Sequence, residues 1–448
     1  MSLHATPTSG RLHIAFFGRR NAGKSSLLNA LTGQSVALVS DVPGTTTDPV
    51  WKSMEILPLG PCVVIDTAGI DDIGELGRLR VERTRRVLRR TDLAVLVLDP
   101  TRPPGREEDR LADELAARKL PVVVAVNKTD LGADPEPCLE WARRRGLAAV
   151  AVSALTGEGV GALRQALVSA APSDWEGPPI IGDLVRPGDL VVLVVPVDLE
   201  APKGRLILPQ VQTLRDLLDH DAMGLVVKET GLEAALGHLA PTRPRLVVTD
   251  SQAFGYVSGV VPRDVPLTSF SILFARHRGD LSTLVAGARA VDSLRPGDPV
   301  VVAEACTHHP IGDDIGRVKI PRWLEKRVGG PLEWRYAVGG DFPADPERYK
   351  LVIHCGACMI NRREMLQRLA AASAAGVPVV NYGVLIAHLH GILPRALEPF
   401  GLTVRETGPS SQGRLSAWGS DPQGRVPDAK DSRTAIGSGS PGRLPGAV

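Results

Sequence analysis

The sequence predicts an α/β protein: a larger domain built on a parallel sheet, two smaller α/β domains after it, and a disordered polar tail. Three observations carry this. Short apolar runs alternate with charged, helix-length segments over residues 12–172, the pattern of strands joined by crossover helices. The alternation resumes after the Pro- and Gly-rich stretch APSDWEGPPIIGDLVRPGD, and again near VPLTSFSILF. Beyond about Arg405, apolar residues give way to Gly, Ser, Pro and Arg, too little apolar surface to offset the entropy of ordering.

In chain order, the first domain is expected over residues 1–174, with strands at LHIAFFG, CVVIDTAG, LAVLVLD, PVVVAVNK and AAVAVSA. The second, 183–264, reads as a small β-α-β-α-β unit: DLVVLVVPVD, a helical LPQVQTLRDLLDHDA, GLVVKET, a helical GLEAALGHLA and RLVVTDSQAF. A unit that small leaves a sheet edge or face open, so it is expected to pair with a second copy or with its neighbour. The third, 265–404, holds DPVVVAEACTHHP, YKLVIHCGACM, a helical NRREMLQRLAAASAAG and VPVVNYGVLIAHLHGIL. Residues 405–448 form the tail, and no internal repeat is evident.

Composition excludes several classes. With 52 Lys and Arg against 50 Asp and Glu, a formal charge of +2 gives no global case for nucleic acid or an anionic membrane. The opening MSLHATPTSGRLH has no apolar signal-peptide core, and runs such as LVVLVVPV are too short to span a bilayer. A cytoplasmic protein is expected, in which the 5 cysteines are core thiols, metal ligands or redox groups and not a disulfide framework.

GRRNAGKSS fits G-x-x-x-x-G-K-[ST] from Gly18 to Ser25, after a strand and before a helix, the context that motif needs. Backbone amides around Asn21, Ala22, Gly23 and Ser26 would turn toward phosphates, Lys24 would reach the β- and γ-oxygens, and the Ser25 hydroxyl would ligate Mg²⁺. DTAG puts Asp66 at the Mg²⁺ shell and the Gly69 amide at the γ-phosphate. In NKTD, the Asp130 carboxylate can accept from guanine N1–H and the 2-amino group, Asn127 can reach the other ring edge, and the Lys128 stem can cover the base. Ser153 and Ala154 end a further strand, where an amide could meet guanine O6. Four motifs in order, each at a strand's C-terminal end, define a P-loop GTPase domain that binds at that edge.

That domain resembles the translational GTPases, most closely the branch related to Era and the tRNA-modifying GTPase MnmE. DVPGTTTDPV looks like the branch's switch I, which implies that Thr46 completes the Mg²⁺ shell. Asn21 matches an asparagine that supports K⁺ in members of the branch. The resemblance makes Lys24, Thr46 and Gly69 the catalytic set. Ile70 stands where Ras-like enzymes carry glutamine and cannot orient water, so slow turnover is expected unless K⁺ or another group compensates. The arginine run from Arg78 to Arg90 reads as a solvated helix face.

The second constellation is HCGACM, with Cys355 and Cys358 in a strand-to-helix turn where amides can stabilise thiolates. Upstream, EACTHHP supplies Cys306, His308 and His309 at another apparent strand end; in one parallel sheet these ends share an edge. Cys62 and Cys138 lie in the first domain, and Cys62 reads as a core residue. Ligand types alone admit a Cys₃His zinc site, a catalytic dithiol or a [4Fe–4S] cluster held by three cysteines, and spacing does not separate zinc from the cluster.

Cys306-Thr-His308, then His354-Cys355-Gly-Ala-Cys358, joined to a GTPase domain of the Era/MnmE kind and a middle α/β unit, resembles the [FeFe]-hydrogenase maturation GTPases, the HydF family. The likeness spans nearly the whole chain up to the tail. It implies a [4Fe–4S] cluster on Cys306, Cys355 and Cys358, with His308 or His354 as candidates for the fourth position. It also implies a scaffold that receives a diiron subcluster precursor from radical-SAM hydrogenase maturases and delivers it to apo-[FeFe]-hydrogenase. A homodimer through the middle domain is implied too. The competing expectation is an RNA-associated GTPase with a structural zinc module.

Overall fold

A computed structural model describes residues 7–33, 49–67, 86–196, 206–239, 242–305, 314–339 and 342–402. Thr46, Gly69, Ile70, Cys306, His308, His309 and the tail lie outside them. The described residues fall in one compact unit that runs to Thr403.

The first sheet has the order β2-β3-β1-β4-β5-β6. Its strands are β1 (Leu12–Gly18), β2 (Val50–Ile56), β3 (Gly60–Asp66), β4 (Leu93–Leu98), β5 (Val122–Val126) and β6 (Ala148–Ala151). Five of these match the apolar runs; β2 is additional and antiparallel to β3, with Val50 opposite Asp66. The sheet is therefore mixed, not wholly parallel. β2 sits at the edge with Val50 and Trp51 exposed, and half-solvated edge strands lack the continuous apolar run that betrays a buried one.

Burial on both faces explains the central strands. Leu12, Ile14 and Phe16 face Leu27, Leu28 and Leu31 of the helix Lys24–Thr32. Ala15 and Phe17 point to the other face, toward Val87 and Leu88, because successive side chains on a strand alternate.

The second sheet, ordered β10-β9-β7-β8, is all parallel: β7 (Leu190–Val194), β8 (Met223–Val227), β9 (Leu246–Thr249) and β10 (Leu267–Ser269). Leu267–Ser269 pairs with β9, so a segment expected to open the third domain completes the sheet of the second. β8 is an edge strand with Met223 and Val226 exposed.

The third sheet, ordered β12-β11-β13-β14, contains β11 (Pro299–Glu304), β12 (Glu333–Val338), β13 (Leu351–His354) and β14 (Val379–Asn381), all parallel. β11 and β13 are neighbours, with Ala303 opposite His354, so Ala305 and Cys355, which follow the two strands, leave one sheet at the same edge.

The helix Arg362–Ala374 joins this sheet to the first domain. Asn361 caps it by accepting from the Glu364 amide at 3.2 Å, and its Nδ2 donates to the Arg90 carbonyl at 2.8 Å. Arg363 donates to the Arg118 carbonyl at 2.8 Å, and Arg278 to the Ser9 carbonyl at 2.5 Å.

Candidate functional site: a nucleotide pocket and a cysteine loop

The phosphate loop leaves β1 at Gly18 and enters the helix Lys24–Thr32 through Gly23, which has φ +89°. A Cβ at Gly23 would collide with Asn127 Nδ2, so the close approach of the two loops requires glycine. Lys24 is buried, and its Nζ donates to the carbonyls of Gly18 at 3.1 Å and Arg19 at 2.9 Å. The ammonium is thus already held over the loop that would cradle phosphates. Arg19 clasps Glu108 through Nε and Nη2, both at 2.6 Å, fixing the loop against the helix Arg106–Ala117.

Ser25 Oγ donates to Asp66 Oδ2 at 2.5 Å, and Asp66 Oδ1 is buried with no hydrogen-bond partner. Burial pushes the Asp66 carboxyl up, opposed by the Ser25 hydrogen bond and the Lys24 charge. An orphaned, buried carboxylate oxygen beside a serine hydroxyl fits a Mg²⁺ ion, a hard cation that takes oxygen ligands. Thr67 Oγ1 donates to the Phe16 carbonyl at 2.6 Å, tying the exit of β3 to β1.

The base side gathers at the ends of β5 and β6. Asn127 Nδ2 donates to the Ala22 carbonyl at 3.1 Å, and its Oδ1 accepts from the Ala154 amide at 3.0 Å. Ser153 Oγ donates to Asp130 Oδ1 at 2.6 Å and orients that carboxylate. Lys128 has φ +67°, and its Nζ meets Asp99 Oδ2 at 2.7 Å. The Asp99 carboxyl lies below its usual range: burial raises it, but hydrogen bonds from Lys128 and Thr101 outweigh that. Gly23, Ser26, Asn127, Lys128, Asp130 and Ala154 line an opening of about 250 Å³.

At the third sheet, Cys355 directly follows β13. Its amide donates to the Ala303 carbonyl at 3.0 Å, and its Sγ accepts from the Ala305 amide at 3.1 Å. Cys355 is buried and Cys358 exposed, three residues on, beyond Ala357 at φ +56°. Among the described residues no group of three His, Cys, Asp or Glu could hold a metal ion. Cys62 and Cys138 are buried in the first domain, and burial pushes both thiols up to about 11.

His354 is fully buried. Its Nδ1 meets the Cys355 carbonyl at 2.9 Å and its Nε2 meets Arg368 Nη1 at 3.2 Å, so both ring nitrogens are engaged. Burial, then the Arg368 charge, pushes His354 down to about 4. Its geometry is that of a neutral ring bracing the cysteine loop.

Several supporting residues escaped sequence reasoning: Asp99, Glu108, Glu364 and Arg368. Asp99 had a signal, since it ends the run LAVLVLD at the same edge as the other motifs. Glu364 and Arg368, four residues apart, had the spacing of a helical ion pair.

Residues 13–128 match the family model for 50S ribosome-binding GTPases, residues 180–279 that of the hydrogen maturase F dimerization domain, and residues 282–399 that of its tetramerization domain. The tRNA modification GTPase MnmE of Nitrosomonas europaea is 39% identical over 161 residues, 36% of this chain and 35% of the relative. MnmE of Bacillus subtilis is 39% identical over 165 residues, 35% of this chain and 34% of the relative. The chain thus spans about a third of the length of these relatives, within the GTPase part. Among solved structures, Aquifex aeolicus Era bound to GDP.AlF4- is 21% identical with a TM-score of 0.34, covering 48% of this chain and 92% of Era. The G domain of T. maritima FeoB is 27% identical with a TM-score of 0.29, covering 36% of this chain and 98% of that domain. Fold, motif order and site geometry define a P-loop GTPase extended by further α/β sheets. The two domains that follow are those of hydrogen maturase F, and the chain belongs to the HydF-type hydrogenase maturase GTPases.

Proposed function

We propose that this protein is a GTP-hydrolysing carrier that holds a [4Fe–4S] cluster on Cys306, Cys355 and Cys358 and passes a diiron subcluster to apo-[FeFe]-hydrogenase. The observation that carries the reading is the 3.1 Å contact between the Ala305 amide and Cys355 Sγ. Ala305 immediately precedes Cys306, and consecutive Cα atoms are only about 3.8 Å apart. β11 and β13 are neighbouring parallel strands, and the described residues at their ends, Ala305 and Cys355, lie at one edge, which supports the reading.

The donor set fits. Cys355 and Cys358 offer soft thiolate sulfur, and an amide already donates to one of those sulfurs, the contact that tunes iron–sulfur sites. The bound cluster would supply an iron with an exchangeable position. Three thiolates would anchor it and leave that position open, and the engagement of both His354 nitrogens favours His308 or a small exchangeable group there. The diiron unit, received from radical-SAM maturases, is cargo. The exposed apolar residues of edge strand β8 support assembly of the middle domain with a second copy.

In the GTPase domain, Ser25, Asp66 and Thr46 would hold Mg²⁺, Lys24 would neutralise β- and γ-oxygens, and the Gly69 amide would sense the γ-phosphate. Asn21 would support K⁺. Loss of the γ-phosphate would release the contacts of Thr46 and Gly69 and change partner affinity.

Anaerobic reconstitution with iron and sulfide tests the reading. A brown, EPR-active species in the wild-type chain, lost in Cys358→Ser but kept in Lys24→Ala, is expected. One tightly bound zinc per chain with no such species would instead favour the zinc module.

A further inference from the structure

Arg90 stands in the first domain against the start of the helix Arg362–Ala374, which follows the cysteine loop. Helical residues 86–90 continue the stretch that carries Gly69, and Arg90 lies over the Trp51 ring at 5.7 Å, on the strand that follows Thr46. From Arg90 an unbroken chain of polar contacts enters the third domain. Arg90 Nε meets Glu364 Oε2 at 2.5 Å, and Arg368 Nη2 meets Glu364 Oε1 at 2.7 Å. Arg368 Nη1 meets His354 Nε2 at 3.2 Å, and His354 Nδ1 meets the Cys355 carbonyl at 2.9 Å. Glu364, Arg368 and His354 are each at most 4% exposed, so these are not screened surface pairs.

One carboxylate is shared by a guanidinium from the GTPase domain and a guanidinium that braces the cysteine loop. If Arg90 shifts, Glu364 either follows it and weakens its pair with Arg368, or stays and keeps only one of its two charged partners. Asn361 adds a second tie from the same turn, its Nδ2 on the Arg90 carbonyl. A buried network of this kind has discrete arrangements and does not deform smoothly.

We infer that Arg90, Glu364, Arg368 and His354 form a positioning relay that links the nucleotide state of the GTPase domain to the conformation of the Cys355–Cys358 loop. The inference deepens the carrier reading and rests on it for its purpose, but not for its test. Linkage is reciprocal: whatever nucleotide does to the loop, a group bound at the loop does to nucleotide affinity.

The test uses the full-length, metal-free chain. Cys358 is exposed, so its alkylation by iodoacetamide, located by peptide mass mapping, reports on the loop without any cluster. Wild-type Cys358 should react about fivefold more slowly with a non-hydrolysable GTP analogue bound than with GDP, the low end of ordinary coupling factors. Arg90→Met should bring the ratio near unity while leaving GDP affinity unchanged, and Arg90→Lys should restore part of it. Glu364→Gln should act like Arg90→Met; because it disturbs a buried pair, the partly exposed Arg90 variants decide if it fails to fold. Equal rates in both nucleotide states of the wild type, or a full ratio in folded Arg90→Met, would overturn the relay. If the ratios behave as expected while reconstitution yields only zinc, the relay stands and the carrier reading alone falls.

Discussion

Asn127 Nδ2 donates to the Ala22 carbonyl at 3.1 Å, tying the base-recognition loop to the phosphate loop. The same side chain accepts from the Ala154 amide, so three loops share one buried carboxamide. Asn127→Ala would strand a buried carbonyl and a partly buried amide, at about 1–3 kcal/mol each. The expected outcome is lower GDP affinity together with a lower unfolding midpoint, read by titration and by thermal denaturation. A normal midpoint with weak binding would mean that Asn127 acts on the base alone.

We propose that Asp130 supplies the nucleotide preference. Ser153 orients its carboxylate at 2.6 Å, leaving it to accept from a ring N–H and an exocyclic amine. Asp130→Asn replaces one acceptor oxygen by a donor, which mismatches guanine and matches the 2-oxo group of xanthine. GTP affinity should fall by about a hundredfold, corresponding to about 2–3 kcal/mol for a mispaired site, and XTP should become the better ligand. Competition titrations with the two triphosphates check this.

The Ser25–Asp66 pair predicts a magnesium signature. Asp66 keeps one orphaned buried oxygen, and the Ser25 hydroxyl points at the other. Removing Mg²⁺ with a chelator should weaken wild-type GTP-analogue binding strongly. Ser25→Ala should bind weakly with or without Mg²⁺, because it lacks the hydroxyl ligand. An unchanged magnesium response in Ser25→Ala would remove that hydroxyl from the ion's shell.

What the sequence made legible follows burial. The central strands β1, β3, β4 and β5 are covered on both faces and read as plain apolar runs, and the phosphate and base motifs stand at their ends. Edge strands β2 and β12 escaped because residues such as Lys52, Glu55, Glu333 and Arg335 interrupt their apolar pattern. Leu267–Ser269 escaped differently: three residues are too few to show a period, and their pairing with β9 is a tertiary choice. At the candidate sites, the proposed motif residues were nameable from spacing alone. Glu364 was not, since its partner Arg90 lies far off in the chain and only packing brings them together.

His277 gives the chain an acid-sensitive contribution to stability. Burial is the main cause that pushes it down, from 6.5 to about 4, while its ring hydrogen bond to the Pro178 carbonyl opposes the shift. A depressed histidine is neutral in the folded chain at pH 5 and largely protonated in the unfolded chain, so the unfolded state binds more protons there. Stability is therefore full above about pH 6.5, declines as pH falls toward 4, and levels off below; the single-site contribution is on the order of 3 kcal/mol. His354 and His390 are shifted in the same direction, so the measurement is a difference between variants. His277→Gln should narrow the gap between denaturant midpoints at pH 7 and pH 5 relative to the wild type, even if it lowers stability at both. An equal gap in the two proteins would show that His277 is not the titrating group.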